Sequence, residues 1–202
     1  MEQRTEEWFT ARLGKVTASR VADVIAKTKS GYSASRANYM AELVCERLTG
    51  SKGDSYQNAA MVWGTNTEPM ARAAYEARTG DLVEEVGFVS HPSIEYAGCS
   101  PDGLIGADGL IEIKCPNTAT HIETLLSKEA PFKYMPQMQW QMACTERVWC
   151  DFVSFDPRLP ENMQMFVGRV MRDHGTIIEL EREVEKFLFE LDQKVTRLKA
   201  QY

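Results

Sequence analysis

The sequence lacks long apolar runs and has no excess of glycine or proline. No apolar stretch approaches the roughly 20 residues that a membrane-spanning helix requires, and the opening MEQRTEEWFT is too polar for a signal peptide. Thirteen glycines and eight prolines among 202 residues are ordinary for a globular protein, which excludes collagen-like and low-complexity chains. We therefore expect a soluble, cytoplasmic protein that makes no contact with a membrane.

Cysteine and histidine are also scarce. The five cysteines are an odd number with no C-x-x-C pair, and the three histidines are scattered along the chain. A disulfide framework and a zinc site are both disfavoured by this arrangement. Cysteines among apolar neighbours, as in LVCERL and QMACTE, are typical of small buried side chains.

Charge is distributed unevenly. The net charge of -6 argues at first against a polyanionic partner, because phosphate binding depends on Lys and Arg. The segment from Arg12 to Arg36 nevertheless has a local balance of +5, with Asp23 as its one acid. Local fields decide where a phosphate settles. An acidic chain with this basic segment is therefore compatible with nucleic acid binding, and a solvated basic face is the alternative.

Apolar spacing predicts helices at both ends of the chain and strands between them. Helices are predicted at 5–13, 35–48, 59–80, 118–128 and 133–146. A further short helix should follow a cap at Thr17 or Ser19, and the chain should end in a helix of about six turns. The helix predicted at 59–80 should be interrupted, or should start anew, near Thr67 and Pro69. KTKSGYS and residues 51–58 are predicted loops. Strands are predicted in 82–90, 97–116, 149–155 and 165–171. The economical interpretation is one α/β domain over 1–202, with a central mixed sheet flanked by helices.

The segment SPDGLIGADGLIEIKCP contains the residues with the clearest chemistry. Side chains alternate along a strand, so Glu112 and Lys114 share one face while Ile111 and Ile113 point into the core. Asp102 comes beside them if the intervening glycines let the chain double back as a hairpin. Two carboxylates and one ammonium group would then converge.

Such a cluster suits metal-assisted phosphodiester hydrolysis. Mg²⁺ prefers oxygen ligands, usually one or two carboxylates with waters and substrate phosphate. A lysine beside the ion can orient the attacking water, and a depressed pKa would let it take a proton. The alternative is an exposed hairpin with a Glu-Lys pair on its polar face.

Five sequence blocks resemble a known family. The blocks RLGKVTAS, VWGTNTEPMAR, CSPDGL, IEIKCP and PQMQWQM occur in the order and approximate spacing of the lambda-type alkaline exonucleases, or YqaJ-like viral recombinases. That family belongs to the PD-(D/E)XK nuclease superfamily, whose P-D, then E-x-K core resembles SPDGL and LIEIK. The similarity runs from about residue 8 to residue 157.

The resemblance implies roles for the residues of the catalytic site. Asp102 and Glu112 match metal-binding carboxylates, Lys114 matches the catalytic lysine, and Ile113 would lend a backbone carbonyl to the metal. Glu68 matches a helical glutamate that completes the metal site. From composition alone, Glu68 is more often a solvated helix residue.

The resemblance also implies roles around that site. Gln139, with Gln137 beside it, matches a glutamine that helps position the water, where the alternative is a polar helix edge. Arg12, Ser19 and Ser100 match a pocket for a terminal 5'-phosphate. Guanidinium and hydroxyl groups are suited to phosphate, although a helix cap also explains Ser19.

Four further residues are candidate DNA contacts. Met61 lies where the family has an apolar wedge that separates the end base pair, but it could equally belong to the core. Lys27, Lys29 and Arg36 lie in or beside a loop expected to touch duplex backbone, and surface charge explains them equally well. No basic residue between 119 and 133 can be matched.

The function that the resemblance implies is a Mg²⁺-dependent 5'-to-3' exonuclease, with Mn²⁺ as an alternative metal and two ions in each site. It would degrade the 5'-ended strand of double-stranded DNA ends to mononucleotides and leave a 3' single-stranded tail. A homotrimeric ring, a single-strand annealing protein as partner and the cytoplasm of a bacterial host are implied with it. The alternatives are a structure-specific or restriction-like endonuclease and a non-catalytic DNA-binding module.

Overall fold

The computed structural model describes residues 1–53 and 58–202, so residues 54–57 of the predicted loop at 51–58 lie outside the described residues. Seven α-helices lie in this part of the chain. They are α1 (Glu6–Arg12), α2 (Val21–Ile25), α3 (Ala34–Thr49), α4 (Ala59–Thr79), α5 (Thr118–Ser127), α6 (Met135–Thr145) and α7 (His174–Gln201). No helix of the described residues is both long and apolar enough to cross a membrane.

Ten strands form three sheets in the described residues. The strands are β1 (Val16–Thr17), β2 (Lys27–Thr28), β3 (Gly31–Tyr32), β4 (Val83–Glu84), β5 (Val89–Ser90), β6 (Ala97–Cys99), β7 (Gly103–Ile105), β8 (Gly109–Lys114), β9 (Trp149–Phe155) and β10 (Met165–Met171). The main sheet has the order β10-β9-β8-β7-β4, and a smaller one has the order β1-β6-β5. Both contain parallel and antiparallel pairs, which confirms the predicted mixed sheet.

The centre of the main sheet is the parallel pair β8-β9. Its register places Lys114 opposite Ser154, so both strands end at the same side of the sheet. We call the segments that follow these two strands, residues 115–117 and 156–158, the carboxyl edge. Parallel strands require a crossover connection, and here α5 and α6 supply it. Ligands of α/β proteins bind outside the carboxyl ends of parallel strands.

Helix α4 covers one face of the main sheet. Its Ala71 and Tyr75 are fully buried against apolar sheet residues. These are Ile105, Ile111, Ile113, Val153, Phe155 and Met165. The predicted alternation of LIEIK is confirmed, because Ile111 and Ile113 belong to this core.

Helix α6 covers the opposite face of the main sheet. Met138 and Met142 pack there against Leu110 of β8. Because strand side chains alternate, Glu112 and Lys114 point to the same face as Leu110. The two polar side chains therefore emerge between β8 and α6.

A third core joins the N-terminal and C-terminal helices to the smaller sheet. It includes apolar residues of α2, α3 and α7 together with Ala97, Cys99 and Trp140. In α7 the buried residues are Ile177, Leu180, Val184, Phe187, Leu188 and Leu191. The apolar stripe predicted for the last helix is confirmed by this burial.

Helix α4 differs from its prediction. It runs without interruption through Pro69, although an interior proline removes one backbone hydrogen bond. Asn58 caps its start by accepting a hydrogen bond from Met61 N at 2.9 Å, and Gly80 ends it with φ of +79°. Both ends are therefore fixed, and packing of the second half on the sheet overrides the local cost of the proline.

Two other local predictions are corrected. KTKSGYS contains the short hairpin β2-β3 instead of an irregular loop, with Lys27 paired to Tyr32. The helix after β1 begins with a 3-10 turn, Ala18–Arg20, and neither Thr17 nor Ser19 caps it through a side-chain hydrogen bond.

Gly14 connects α1 to the helical core. Its φ of +67° lies in the left-handed region, which favours glycine. Its N–H donates to Glu46 Oε2 at 2.7 Å, and its carbonyl accepts from Arg47 Nε at 2.9 Å. A Cβ atom at this position would lie 2.7 Å from Arg47 Cγ. The turn after α1 is thereby fixed against α3.

Candidate active site

Glu112 is a buried carboxylate, with 1% of its side chain exposed. Its Oε1 accepts a hydrogen bond from Gln137 Nε2 at 2.7 Å, and its Oε2 accepts one from Gln141 Nε2 at 2.6 Å. Gln137 and Gln141 are four residues apart, so they lie on one face of α6. Lys114 Nζ forms an ion pair with Oε1. These donors compensate the cost of burying the charge.

Lys114 lies between the two carboxylates and the ring of Tyr134. Its Nζ is 5.0 Å from the centre of that ring. Burial lowers the pKa of Lys114, but the charges of Glu112 and Asp102 outweigh this effect and raise the pKa above its usual range. In this arrangement the pKa shift is opposite to the depression that would make the lysine a proton acceptor.

Asp102 lies next to β8, as the hairpin interpretation predicts. Its Oδ2 accepts a hydrogen bond from Ile113 N at 2.6 Å. The N–H and C=O of one strand residue leave the strand on the same side, so the Ile113 carbonyl also points toward the Asp102 side. Burial and then the charge of Glu112 raise the pKa of Asp102 well above its usual value.

Glu68 lines the same cleft as Ile113 and Lys114, but both of its oxygens have cationic partners. Arg4 Nη2 donates to Oε2 at 2.8 Å, and Arg72 Nη2 donates to Oε1 at 3.0 Å. The structure therefore brings Glu68 to the cleft without joining it to Asp102 and Glu112 as a ligand cluster.

The donor set fits a hard divalent cation. Within residues 1–53 and 58–202, no group of three His, Cys, Asp or Glu side chains converges as a metal site. Two carboxylates and a backbone carbonyl nevertheless supply three oxygen donors, and Mg²⁺ usually takes one or two carboxylates and completes its shell with water and phosphate. Asp102, Glu112 and the Ile113 carbonyl are the groups that would hold such an ion. Gln141 Oε1 is buried without a partner in the described residues, so this wall of the site has an unused oxygen acceptor.

The structure does not bring Gln139 to Glu112. Its Nε2 donates to Met171 O at 2.8 Å, and its Oε1 accepts from Asp173 N at 2.9 Å. Gln139 therefore holds the end of β10 and the start of α7, because it lies on another face of α6 than Gln137. Sequence reasoning missed Gln141. The signal was present, since a second glutamine four residues after Gln137 shares its helix face.

A second cluster surrounds Ser100, two residues before Asp102. Arg12 Nη1 and Trp8 Nε1 both donate to Ser100 Oγ at 2.9 Å. The Arg12 guanidinium also stacks on the Trp8 ring, 4.1 Å from its centre. Burial lowers the pKa of Arg12 below its usual value. An arginine in a protein stays charged, so a partly buried positive charge lies beside a neutral hydroxyl.

Arg12 and Ser19 line one cavity of about 330 Å³. Lys15, Arg20 and Lys52 line it as well, so four cationic side chains face the space together with the carboxylates of Glu42 and Glu46. Met61, half of which is exposed, lines both this cavity and the cleft at Lys114. The predicted phosphate-pocket residues are therefore brought together, and Met61 stands between them and the catalytic cluster. Its predicted role as a wedge stays a prediction.

The predicted DNA contacts of the basic segment are separated by the structure. Arg36 is buried, donates to Val24 O at 3.1 Å and pairs with Glu190 at 2.7 Å. It is a core residue that joins α3 to α7, so its predicted DNA contact is wrong in this structure. Lys27 pairs with Glu183 at 3.0 Å, whereas Lys29 is exposed.

Comparison with known proteins identifies the family. Residues 7–148 match the YqaJ-like viral recombinase domain. An alkaline exonuclease from Laribacter hongkongensis, LHK-Exo, is 58% identical and superposes with a TM-score of 0.91, covering 98% of this chain and 97% of that one. Its crystal structure with dAMP gives a TM-score of 0.92 at the same identity and coverage.

A phage-related exonuclease from Haemophilus somnus 129PT has the same fold at 16% identity, with a TM-score of 0.73 over 91% of this chain and 96% of that one. No curated protein matches the chain. The predicted α/β fold is confirmed as that of the alkaline exonucleases. The chain belongs to the YqaJ-like viral recombinase family and is a DNA-hydrolysing nuclease.

Proposed function

We propose that residues 1–202 form one exonuclease domain that degrades the 5'-ended strand at double-stranded DNA ends. It releases mononucleotides and leaves a 3' single-stranded tail for recombination by strand annealing. The observation that carries this proposal is that the cationic pocket at Arg12 lies next to the acidic cluster at Asp102, both in sequence and in space. Ser100 holds the Arg12 guanidinium, and Asp102 holds the end of the catalytic strand at Ile113.

The phosphate pocket gives the proposal its polarity. Arg12 can donate to phosphate oxygens through a planar guanidinium, which is suited to paired hydrogen bonds. Ser19 and Ser100 add hydroxyl groups at the same place. A terminal 5'-phosphate bound there would place the next phosphodiester near Asp102. A nuclease that cuts within DNA has no need of such a pocket.

The catalytic cluster provides the chemistry. Bound Mg²⁺, two ions in each site as in the family, would polarise the scissile phosphate and lower the pKa of bound water. Asp102, Glu112 and the Ile113 carbonyl would hold the metal, while Lys114 Nζ would orient the attacking water. Gln137 and Gln141 hold the Glu112 carboxylate in position. Glu68 lines the same cleft, and each of its oxygens accepts one hydrogen bond from an arginine.

The product and the partners extend the proposal. The relative LHK-Exo was crystallised with dAMP, a deoxynucleoside monophosphate, which supports mononucleotides as the product class. The resemblance to lambda-type enzymes supports a homotrimeric ring and a single-strand annealing protein that binds the 3' tail. The exposed Lys29 and neighbouring basic residues would face the DNA in such a ring.

Digestion of linear duplex DNA tests the proposal. The substrates carry a 5'-phosphate or a 5'-hydroxyl, beside a closed circle, each in Mg²⁺ and in EDTA. We expect metal-dependent release of mononucleotides from the 5'-phosphorylated strand, with the circle spared. Cutting of the circle would favour an endonuclease, and tight DNA binding without any cutting would favour a non-catalytic module.

A further inference from the structure

The carboxyl edge of the main sheet holds an arginine that the catalytic chemistry does not use. Arg158 follows β9 and lines the cleft of about 740 Å³ that also contains Lys114 and Glu68. Its Nη2 donates to Pro116 O at 3.3 Å, and Pro116 lies two residues after Lys114. The parallel register of β8 and β9 therefore brings this guanidinium beside the end of the catalytic strand.

Asp156 fixes the orientation of Arg158. Asp156 is fully buried, and its two oxygens accept from Arg158 Nε at 2.7 Å and from Arg158 Nη2 at 3.0 Å. Its Oδ1 also accepts from the Arg158 backbone N–H at 3.0 Å. Burial would raise the pKa of Asp156, but the hydrogen bonds from Arg158 and Thr118 outweigh it and lower the pKa to about 2. The aspartate thus stays ionised and holds one edge of the guanidinium.

Trp63 of α4 supports the flat face of the same guanidinium. The Arg158 Cζ lies 4.5 Å from the centre of the Trp63 ring. Stacking and the aspartate fork together restrict the side chain to one position, although about half of it is exposed. Within the described residues, the hydrogen bonds of Arg158 use Nε and Nη2, so Nη1 is available to a ligand in the cleft.

The cleft has a direction. Met61 lines both the cavity with Arg12 and the cleft with Arg158, and Lys114 lies in the latter. A strand whose 5' end is held at Arg12 would pass the catalytic cluster and then reach the carboxyl edge. The group that meets Arg158 there would be on the 3' side of the scissile bond. Lys133, a second cation, lines the same cleft.

We propose that Arg158, supported by Trp63 and positioned by Asp156, is a binding site for the phosphodiester immediately 3' to the scissile one in the degraded strand. This inference rests on the proposed exonuclease function. The site holds the second linkage while the first is cut, so that the strand stays in register. Arginine suits this role because hydrogen bonds to a charged phosphate are stronger than neutral ones.

Single-turnover release of the 5'-terminal nucleotide tests the proposal. A neutral methylphosphonate replaces one of the first four linkages 3' to the scissile bond in turn. In the wild-type protein, we expect this replacement at the linkage next to the scissile bond to raise the half-saturating protein concentration about tenfold, because a charged hydrogen bond is lost. Arg158→Ala should show the same increase on unmodified DNA and no further increase with that methylphosphonate. Its log-log salt slope should fall by about one.

Three further variants separate a binding role from a structural one. Asp156→Asn, which removes the charge that orients Arg158, should lose part of the sensitivity to the same linkage. Arg158→Lys keeps the charge without the fork and should restore part of the affinity. Arg197→Ala, in the last turns of α7, is the matched control and should leave the methylphosphonate profile unchanged.

The outcomes distinguish the subsite from the exonuclease. If the wild-type protein releases no nucleotide from unmodified DNA, the proposed function fails and the subsite with it. If it releases nucleotides but tolerates all four neutral linkages equally, the subsite alone is overturned. An Arg158→Ala protein that keeps the full wild-type penalty at the same linkage overturns it as well. If Arg158→Ala does not fold, Arg158→Lys takes its place, and a variant that keeps the full wild-type affinity and penalty overturns the subsite.

Discussion

The catalytic cluster around Glu112 and the cavity at Arg12, which we call the two ends of the site, solve opposite electrostatic problems. At the catalytic end, Glu112 is buried and receives hydrogen bonds from two glutamines and an ion pair from Lys114. At the other end, Arg12 is partly buried beside a hydroxyl and an indole ring, which carry no charge. The carboxylate is compensated by the protein, whereas the guanidinium is not compensated by a hydrogen-bonded acid.

This difference indicates which ligand each end can take. A carboxylate held by amide groups remains an oxygen donor for a cation, and its position is set by its supports. A partly buried guanidinium whose hydrogen-bond partner is neutral retains its field for an incoming anion. The spacing between the two ends then sets the distance from a bound 5'-phosphate to the phosphodiester that is cut.

The largest expected effect comes from removing the catalytic end. Lys114→Ala should lower kcat by about 10²–10⁴-fold, because a positioned lysine at the reacting centre is lost. Asp102→Ala should abolish hydrolysis, as should removal of the metal with EDTA. Rates are measured on 5'-phosphorylated duplex, with thermal unfolding as a control for folding. Undiminished turnover in either variant would remove that residue from the catalytic site.

The next effect comes from the other end and should be selective. Arg12→Ala should reduce the rate on a 5'-phosphorylated end by about 10–100-fold, the equivalent of a charged hydrogen bond. A 5'-hydroxyl end, which lacks the charge, should be affected far less. The two substrates are compared at subsaturating DNA. Equal losses on both would show that Arg12 supports the fold rather than the terminal phosphate.

Two glutamines of α6 sharpen the comparison further. Gln141→Leu should raise the metal concentration for half-maximal activity by about 10–100-fold, since Gln141 holds a metal-binding carboxylate. Gln139→Leu removes two bonds to backbone groups and should instead lower the free energy of unfolding by about 1–3 kcal/mol. Metal titrations and urea unfolding of both variants check this. A metal effect in Gln139→Leu would reverse our assignment of the two residues.

The smallest expected effect lies outside both ends. His91 stacks on Trp140 at 5.0 Å, and its Nδ1 accepts from Ile94 N at 3.1 Å. Burial lowers the pKa of His91, which Glu181 opposes only in part. The folded state therefore favours the neutral ring, and stability should fall as the pH drops below about 6.5, the usual histidine value.

His91→Gln, which keeps a polar side chain without this titration, should flatten the dependence of Tm on pH between 7 and 5. Thermal melts of both proteins across that range provide the measurement. Cleavage rates at pH 8 should be the same in the two proteins. A parallel decline of both Tm curves would assign the acid sensitivity to other groups.

The sequence predicted the parts of the site that follow local rules. Strand alternation was sufficient to put Glu112 and Lys114 on one face, and glycine-rich turns were sufficient to return Asp102 to β8. Four- and three-residue spacing identified α7, because a long helix buries one stripe. The fold class followed from the same periodicities.

The sequence could not predict contacts between distant segments. Arg36 resembles a surface charge until Glu190, 154 residues away, meets it inside the helical core. Glu68 has the position of a ligand, but the pairs it makes with Arg4 and Arg72 depend on tertiary placement. Whether Gln139 or Gln141 contacts Glu112 depends on how α6 is rotated about its axis against the sheet. Local patterns carry no information on that rotation.

Gly14 shows how tolerance to mutation can be low where no chemistry occurs. It bonds to neighbouring groups of α3 on both its N–H and its carbonyl side, and a methyl group in its place would collide with Arg47. Arg12 lies two residues earlier in the chain, so the conformation of this turn determines where its guanidinium lies. Random mutagenesis should therefore find Gly14 nearly as intolerant of substitution as Arg12. Homologues in which the sequence of this turn changes would lose their preference for phosphorylated ends before they lose the ability to cut DNA.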